Sequence, residues 1–155
     1  MSSIRAKFEE LGFVWPNLSP PDLPFSPVVC DNGLLIVSGQ IPEDNDEIVA
    51  TGKVGEAYSL EEAKEIAAQC TSNVVFWIDR ELAGDIDRVT RISKLTVFVN
   101  AVAGFAQYSE VANGASERIN AVFGARGNHA RSAIGVAGLP ANVPVEVEAI
   151  VQVKP

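Results

Sequence analysis

The sequence predicts a single α+β domain over residues 1–155, with its elements in the order β-β-α-β-α-β. Three observations support this fold class: a hairpin signal near residue 32, a capped amphipathic helix after residue 59, and later strands rich in β-branched residues. Hydrophobic residues make up 47% of the chain, which favours a folded domain over a disordered one.

The first two strands are predicted as a hairpin. Asp31-Asn32-Gly33 separates the apolar runs Val28–Cys30 and Leu34–Val37, and Asn-Gly tolerates the positive φ angles of a tight turn. Residues 1–24 are expected to form an extended N-terminal arm, because Pro16–Pro24 is rich in proline, which fixes φ and lacks an N–H donor.

Two helices follow from capping and spacing signals. Ser59 and Glu62 match a capping box, and the apolar residues after them predict a helix from about Leu60 to about Arg80. A second amphipathic helix is expected from Phe105 to Val122, with Gly124 as its stop.

The later strands are predicted at Leu95–Val99, Arg131–Val136 and Val145–Val153, where β-branched residues are frequent. Two helices cover only one face of such a sheet, yet both faces of the strands carry apolar or small residues. The uncovered face is therefore predicted to pack against further copies of this chain, in a number that the pattern does not give.

Charge and composition exclude several classes of protein. The net charge of -8 disfavours nucleic-acid binding, which depends on neutralising phosphates. Cys30 and Cys70 are expected as reduced thiols, and with the lone His129 they give no metal-binding pattern. A Ser-His-Asp triad would depend wholly on His129, which has no nucleophile elbow nearby. Residues 1–11 lack the apolar run of a secretory signal, and no apolar run could span a membrane, so a cytoplasmic protein is expected.

The strand that begins at Arg131 carries a candidate anion site. Alternation places small residues on the face of Arg131, namely Ala133, Gly135 and Ala137. A guanidinium with small neighbours has room to bind a carboxylate with two hydrogen bonds. The alternative is a purely structural ion pair with Glu146 or Glu148. These two carboxylates share one face of the last strand, and their spacing does not separate a catalytic role from a structural or solvated one.

The sequence resembles the Rid (reactive intermediate deaminase) family, also called YjgF or L-PSP endoribonuclease. Leu35–Pro42 is similar to the family's S-G-Q-x-P segment, and Leu95–Val99 resembles its central strand. Arg131–Pro140, followed by Val145–Glu148, is similar to the family signature R-[SA]-x-x-x-V-x-x-L-P…V-E-[IV]-E. The resemblance extends over about residues 25–153.

This resemblance implies a chorismate-mutase-like fold with two helices on one face of the sheet, assembled as a barrel-like homotrimer. It also implies ligand sites in the clefts between subunits. The implied activity is hydrolysis of 2-imino or enamino acids to 2-oxo acids and ammonia, without a cofactor or metal. Two other functions stay open: a non-catalytic trimer that binds small carboxylates, and an endoribonuclease, which the acidic charge opposes.

The resemblance also implies roles for single residues. Arg131 would bind the substrate carboxylate, and Glu146 would position or activate the attacking water. Ser38 and Gln40 would line the cleft.

The chain departs from the family pattern at three places. Phe25 stands where the family has a tyrosine, and Ala133 stands where it has a cysteine, so these two substrate-binding positions lose a hydroxyl and a thiol. Asn113–Ser116 replaces the family's N-x-x-Y, so its tyrosine is absent as well. The range of substrates is therefore open.

Overall fold

The structure, a computed structural model, describes residues 3–155. Its helices are α1 (Ser3–Glu10), α2 (Leu60–Glu81) and α3 (Tyr108–Phe123). Its strands are β1 (Val28–Asp31), β2 (Leu34–Gln40), β3 (Glu43–Asp44), β4 (Glu47–Ile48), β5 (Val89–Asn100), β6 (Ala130–Val136) and β7 (Val145–Val153). The protein therefore has the α+β fold that the sequence predicts.

Five strands form the main sheet, in the order β1-β2-β7-β5-β6, while β3 and β4 form a separate small hairpin. Neighbouring strands of the main sheet are antiparallel, except for the parallel pair β5 and β6. The predicted order β-β-α-β-α-β leaves out one strand, since the predicted segments Arg131–Val136 and Val145–Val153 form two strands, β6 and β7, and it also lacks α1, β3 and β4. Since β5 lies between them, β6 and β7 do not pair.

The two long helices cover one face of the sheet. On that face Leu95, Val97 and Val99 of β5 are fully buried, as are Val145 and Val147 of β7.

The opposite face of the sheet exposes large apolar side chains. Val29, Ile36, Ile134 and Ile150 retain 50%, 48%, 44% and 38% of their accessible surface. The sheet is thus apolar on both faces, as the sequence predicts. Packing of further copies of the chain on the open face stays a prediction.

Local signals in the sequence agree with the structure at the first turn and at α2. Asn32 and Gly33 have φ angles of 47° and 78°, which are the positive values that a tight hairpin turn requires. The Ser59 hydroxyl accepts a hydrogen bond from the Glu62 backbone N–H, and the Glu62 carboxylate accepts one from the Ser59 N–H. This reciprocal capping box starts α2 at the predicted residue.

The expected extended arm over residues 1–24 is wrong for residues 3–10, which form α1. Its residue Phe8 is fully buried, with its ring centroid 5.7 Å from that of Phe13 and 5.0 Å from that of Trp15. Packing of Phe8 against these two rings stabilises α1. The arm is predicted from its proline content, which carries no information about this contact. Residues 13–27 contain no helix or strand, and residues 1 and 2 lie outside the described part of the chain.

None of the helices within residues 3–155 has the length and the hydropathy needed to cross a bilayer.

Candidate functional site

Arg131 lies on the helix-covered face of edge strand β6, where it pairs with Leu95 of β5. Its Nη1 donates to Asn113 Oδ1 at 2.9 Å and to Ser116 Oγ at 3.1 Å. Its Nη2 donates to Ser109 Oγ at 2.8 Å and to the Ser109 carbonyl at 3.3 Å. All these partners are neutral groups of α3, and no ion pair joins Arg131 to a carboxylate of residues 3–155. The positive charge of the guanidinium is therefore not compensated within the described chain.

The small residues beside Arg131 do not leave the empty hole that the sequence predicts. A Cβ atom added to Gly135 would lie 2.6 Å from both Cζ and Oη of Tyr108. Tyr108 is the first residue of α3, so this helix occupies the space above the small residues.

The alternative, an ion pair of Arg131 with Glu146 or Glu148, is also wrong. Both carboxylates lie on β7, which β5 separates from β6. Glu146 pairs with Phe98 and Glu148 pairs with Thr96, so they lie on the open face, opposite to the face of Arg131.

Glu146 borders a cavity of about 310 Å³ between residues 18–27, the end of β2 and α2. Apolar groups form most of its walls, including Leu18, Pro21, Leu23, Phe25, Pro27, Ile41 and Trp77. Gln40, Glu43 and Glu146 supply its charged and amide side chains. A cavity with apolar walls and a few polar groups suits a small organic ligand.

Burial controls the ionisation of the two carboxyl groups. It raises the pKa of Glu146, and the negative charge of Glu148 raises that pKa further. Burial also raises the pKa of Glu43, with a smaller contribution from Asp46. A carboxyl group with a raised pKa exchanges protons closer to neutral pH than an exposed one does, which suits acid–base chemistry.

The structure brings together three of the six residues that sequence analysis assigns to the site. Phe25, Gln40 and Glu146 line the cavity. Arg131 and Ala133 do not, because they lie on the covered face of β6.

Ser38 lies beside this cavity without lining it. Its hydroxyl donates to the Ser26 carbonyl at 2.7 Å, which attaches the segment that carries Phe25 to β2. The Gln40 amide in turn donates to the Ser38 carbonyl at 3.0 Å.

Sequence reasoning missed Glu43 and Trp77 as lining residues. Glu43 follows the S-G-Q-x-P segment directly, which is a signal that was available. Trp77 had no such signal, because its position on α2 indicates only a core residue. Within residues 3–155 no group of three or more His, Cys, Asp or Glu side chains could hold a metal ion. Cys30 and Cys70 are free thiols, one exposed and one buried.

The protein thus belongs to the class of α+β domains that have helices on one face of a five-stranded sheet. A cavity bordered by the carboxyl groups of Glu43 and Glu146 lies at the end of β2. Within that class, the family model "Endoribonuclease L-PSP" matches residues 17–153. The protein belongs to this family, and the resemblance to Rid and YjgF proteins is thereby confirmed.

Similar proteins come from bacteria and a protozoan. Protein TCP17 of Trypanosoma cruzi is 41% identical over 150 residues, which cover 96% of this chain and 93% of TCP17. The crystal structure of Atu1372 from Agrobacterium tumefaciens is 37% identical, covers 97% of this chain and 92% of that one, and superposes with a TM-score of 0.90. YyfA of Yersinia pestis, described as a conserved Rid family protein, is 25% identical, covers 87% of this chain and 93% of its own, and has a TM-score of 0.62.

Proposed function

We propose that the protein hydrolyses 2-imino or enamino acids to 2-oxo acids and ammonia. The observation that carries this proposal is Glu146, a carboxyl group of raised pKa at the wall of a largely apolar cavity. Membership of the L-PSP and Rid family supports the same reaction.

The chemistry needs only a base and correct positioning. The carbon of a protonated imine is electrophilic, and the Glu146 carboxylate removes a proton from the attacking water as the C–O bond forms. The protonated Glu146 then returns this proton to the nitrogen of the tetrahedral intermediate. The C–N bond breaks as the regenerated Glu146 carboxylate accepts the proton of the new hydroxyl group, so that ammonia leaves and the 2-oxo acid remains. Holding water and imine in contact removes much of the entropic cost of the addition.

Arg131 would bind the substrate carboxylate. Its four hydrogen bonds all go to neutral oxygen atoms, three of them on the exposed residues Ser109 and Asn113. A carboxylate that displaces these oxygen atoms forms charge-assisted hydrogen bonds, which are about twice as strong as neutral ones. The neutral partners thus keep the guanidinium oriented until the substrate replaces them.

One substrate that contacts both Arg131 and Glu146 would require two copies of the chain. Within one chain these residues lie on opposite faces of the sheet, with β5 between their strands. The apolar side chains on the open face support association. We therefore propose a homotrimer of chorismate-mutase-like form, with Arg131 of one subunit and Glu146 of another in each cleft.

The reaction is tested with an imine produced in place by an L-amino-acid oxidase, with semicarbazide trapping what remains. We expect wild-type protein to reduce the trapped imine. Glu146→Gln should lower the rate about a hundredfold, because the general base is lost. Glu148→Gln is the matched control on the same strand face and should stay within about threefold of wild type. A wild-type protein that does not accelerate imine hydrolysis would refute the proposed activity.

The second candidate is a trimer that binds small carboxylates without turnover. Phe25 and Ala133, in place of the family's tyrosine and cysteine, favour it, because the hydroxyl and the thiol are absent. Calorimetry with a small 2-oxo acid distinguishes the two functions: binding without imine hydrolysis supports this candidate, and turnover discards it. The net charge of -8 still disfavours the ribonuclease activity that the family name suggests.

A further inference from the structure

Ser116 and His129 form a hydrogen-bonded pair that takes no chemical step in the proposed imine hydrolysis, in which Ser116 only helps to orient Arg131. Ser116 Oγ lies 2.9 Å from His129 Nε2, and His129 Nδ1 lies 2.5 Å from the Gly127 carbonyl oxygen. A carbonyl oxygen only accepts hydrogen bonds, so this contact assigns the hydrogen to Nδ1. In the neutral ring Nε2 is then the acceptor for the Ser116 hydroxyl.

The fold holds this pair in place from two sides. Ser116 is on α3, and His129 follows the short 3₁₀ turn Gly124–Gly127 that leads the chain from α3 into β6. A Cβ atom at Gly127 would lie 2.9 Å from the Ile119 carbonyl oxygen of α3. The absence of a side chain therefore lets the turn pack closely on the helix, with its carbonyl oriented toward the His129 ring.

A positive charge lies next to the serine oxygen. Arg131 Nη1 donates to Ser116 Oγ at 3.1 Å and to Asn113 Oδ1 at 2.9 Å. No ion pair within residues 3–155 neutralises this guanidinium. A fixed cationic donor at this distance stabilises negative charge that develops on a neighbouring oxygen atom.

We propose that Ser116 is an activated nucleophile, with His129 as its general base, and that this pair hydrolyses small acyl esters. The arrangement contains the three parts of such a site: a hydroxyl, a base in hydrogen-bond contact with it, and a group that orients the base. Ser116 on α3 and His129 before β6 are both half-buried, and the neighbouring Arg131 partner Asn113 is exposed. Ester hydrolysis by Ser116 and His129 does not depend on whether the protein hydrolyses imines.

The steps balance without a further reactant. Ser116 Oγ bonds to the ester carbonyl carbon while its proton moves to His129 Nε2, and Arg131 Nη1 donates to the resulting oxyanion. The ester C–O bond then breaks, the leaving alcohol takes the proton from His129, and the acyl group stays on Ser116. Water, deprotonated by His129, releases the carboxylic acid and restores the serine.

The first test uses p-nitrophenyl acetate, which contains neither an imine nor a carboxylate, so its outcome is independent of imine hydrolysis. We expect a burst of nitrophenolate, and peptide mass mapping should find the acetyl group on Ser116. A fluorophosphonate probe should also label Ser116, and this experiment uses the wild-type protein alone. Labelling only of lysines or of other serines would overturn the proposal.

Variants then separate activation from mere exposure. Ser116→Ala should abolish the burst, and His129→Gln should slow it roughly a hundredfold. Ser132→Ala is the matched control, because Ser132 is a half-buried serine of β6 on the opposite sheet face and should leave the burst unchanged. A wild-type rate in His129→Gln, in protein whose circular dichroism matches wild type, would refute the role of the histidine.

Discussion

Gly39 and the carboxylate of Glu146 lie in direct contact across the paired strands β2 and β7. A Cβ atom at residue 39 would overlap Oε1 of Glu146 and lie 2.8 Å from its carboxyl carbon. The φ angle of Gly39 is not in the left-handed region, so glycine is needed here for space and not for backbone conformation. Gly39 thus fixes where the half-buried carboxyl group of Glu146 can lie.

Gly39→Ala should therefore displace the Glu146 carboxylate. Because the overlapping atoms belong to the end of a flexible side chain, we expect the protein to fold but to lose about tenfold or more in kcat/KM for imine hydrolysis. Gly138→Ala is the control, since a Cβ there meets no atom within 4 Å. Kinetics and melting temperature check both variants, and full activity in Gly39→Ala would contradict the role given to the position of this carboxylate.

Stability should depend on pH through Glu146. Burial and Glu148 raise its pKa in the folded state, so the folded protein holds this proton more tightly than the unfolded chain does. The contribution to stability is therefore full below the unfolded pKa and is lost as pH rises through the raised value. Glu146→Gln, which cannot ionise, should melt at a higher temperature than wild type near neutral pH.

In acid the two proteins should melt alike, because the wild-type carboxyl is then neutral as well. Thermal denaturation near pH 7 and near pH 4 measures the difference. A difference that is the same at both pH values would show that the ionisation of Glu146 does not cause it.

Arg131→Lys should weaken substrate binding more than it slows turnover. One ammonium group cannot reproduce the planar donors that contact Asn113 and Ser109 together, and it cannot bind a carboxylate with two parallel hydrogen bonds. We expect KM for the imine to rise about tenfold, with a smaller change in kcat. Steady-state kinetics provide the test, and an unchanged KM would remove Arg131 from the binding site.

The open face of the sheet should control association. Ile36→Asp places a charge on a side chain of β2 that is 48% exposed on this face. Sedimentation velocity should detect a shift from trimer to monomer, since a buried unpaired charge costs several kcal/mol. Imine hydrolysis should fall with it.

Val14→Asp serves as the control for association. Val14 is 78% exposed and lies outside the sheet, so this variant should keep the oligomeric state of the wild type. A monomeric wild-type protein would contradict the trimer and the two-subunit site together.

Signals that act over a few residues allowed accurate predictions. The turn at Asn32 and Gly33 depends on the φ preferences of two residues, and the start of α2 depends on side chains three positions apart. Helix α2 ends at Glu81, within one residue of the predicted end near Arg80. The prediction is this close because the apolar periodicity on which it is based extends along the whole helix.

Strand pairing was not predictable in the same way. Alternation in β6 and β7 indicates which side chains share a face, but it does not reveal that β5 lies between the two strands. The alternative of an ion pair between Arg131 and Glu146 or Glu148 is wrong for this reason. The space beside Gly135 likewise depends on Tyr108, which is 27 positions earlier in the chain. Such distant contacts leave no local pattern.

Strand β5 lies between the strand of Arg131 and the strand of Glu146, so two variants that each lack one of these side chains should complement each other. In the proposed trimer, a subunit with only the guanidinium and a subunit with only the carboxylate can complete one cleft between them. Unfolding and refolding an equal mixture of two inactive variants, Arg131→Met and Glu146→Gln, should therefore restore activity in about one cleft in four. Complementation of this kind requires shared sites, and it would be absent from a protein whose every subunit works alone.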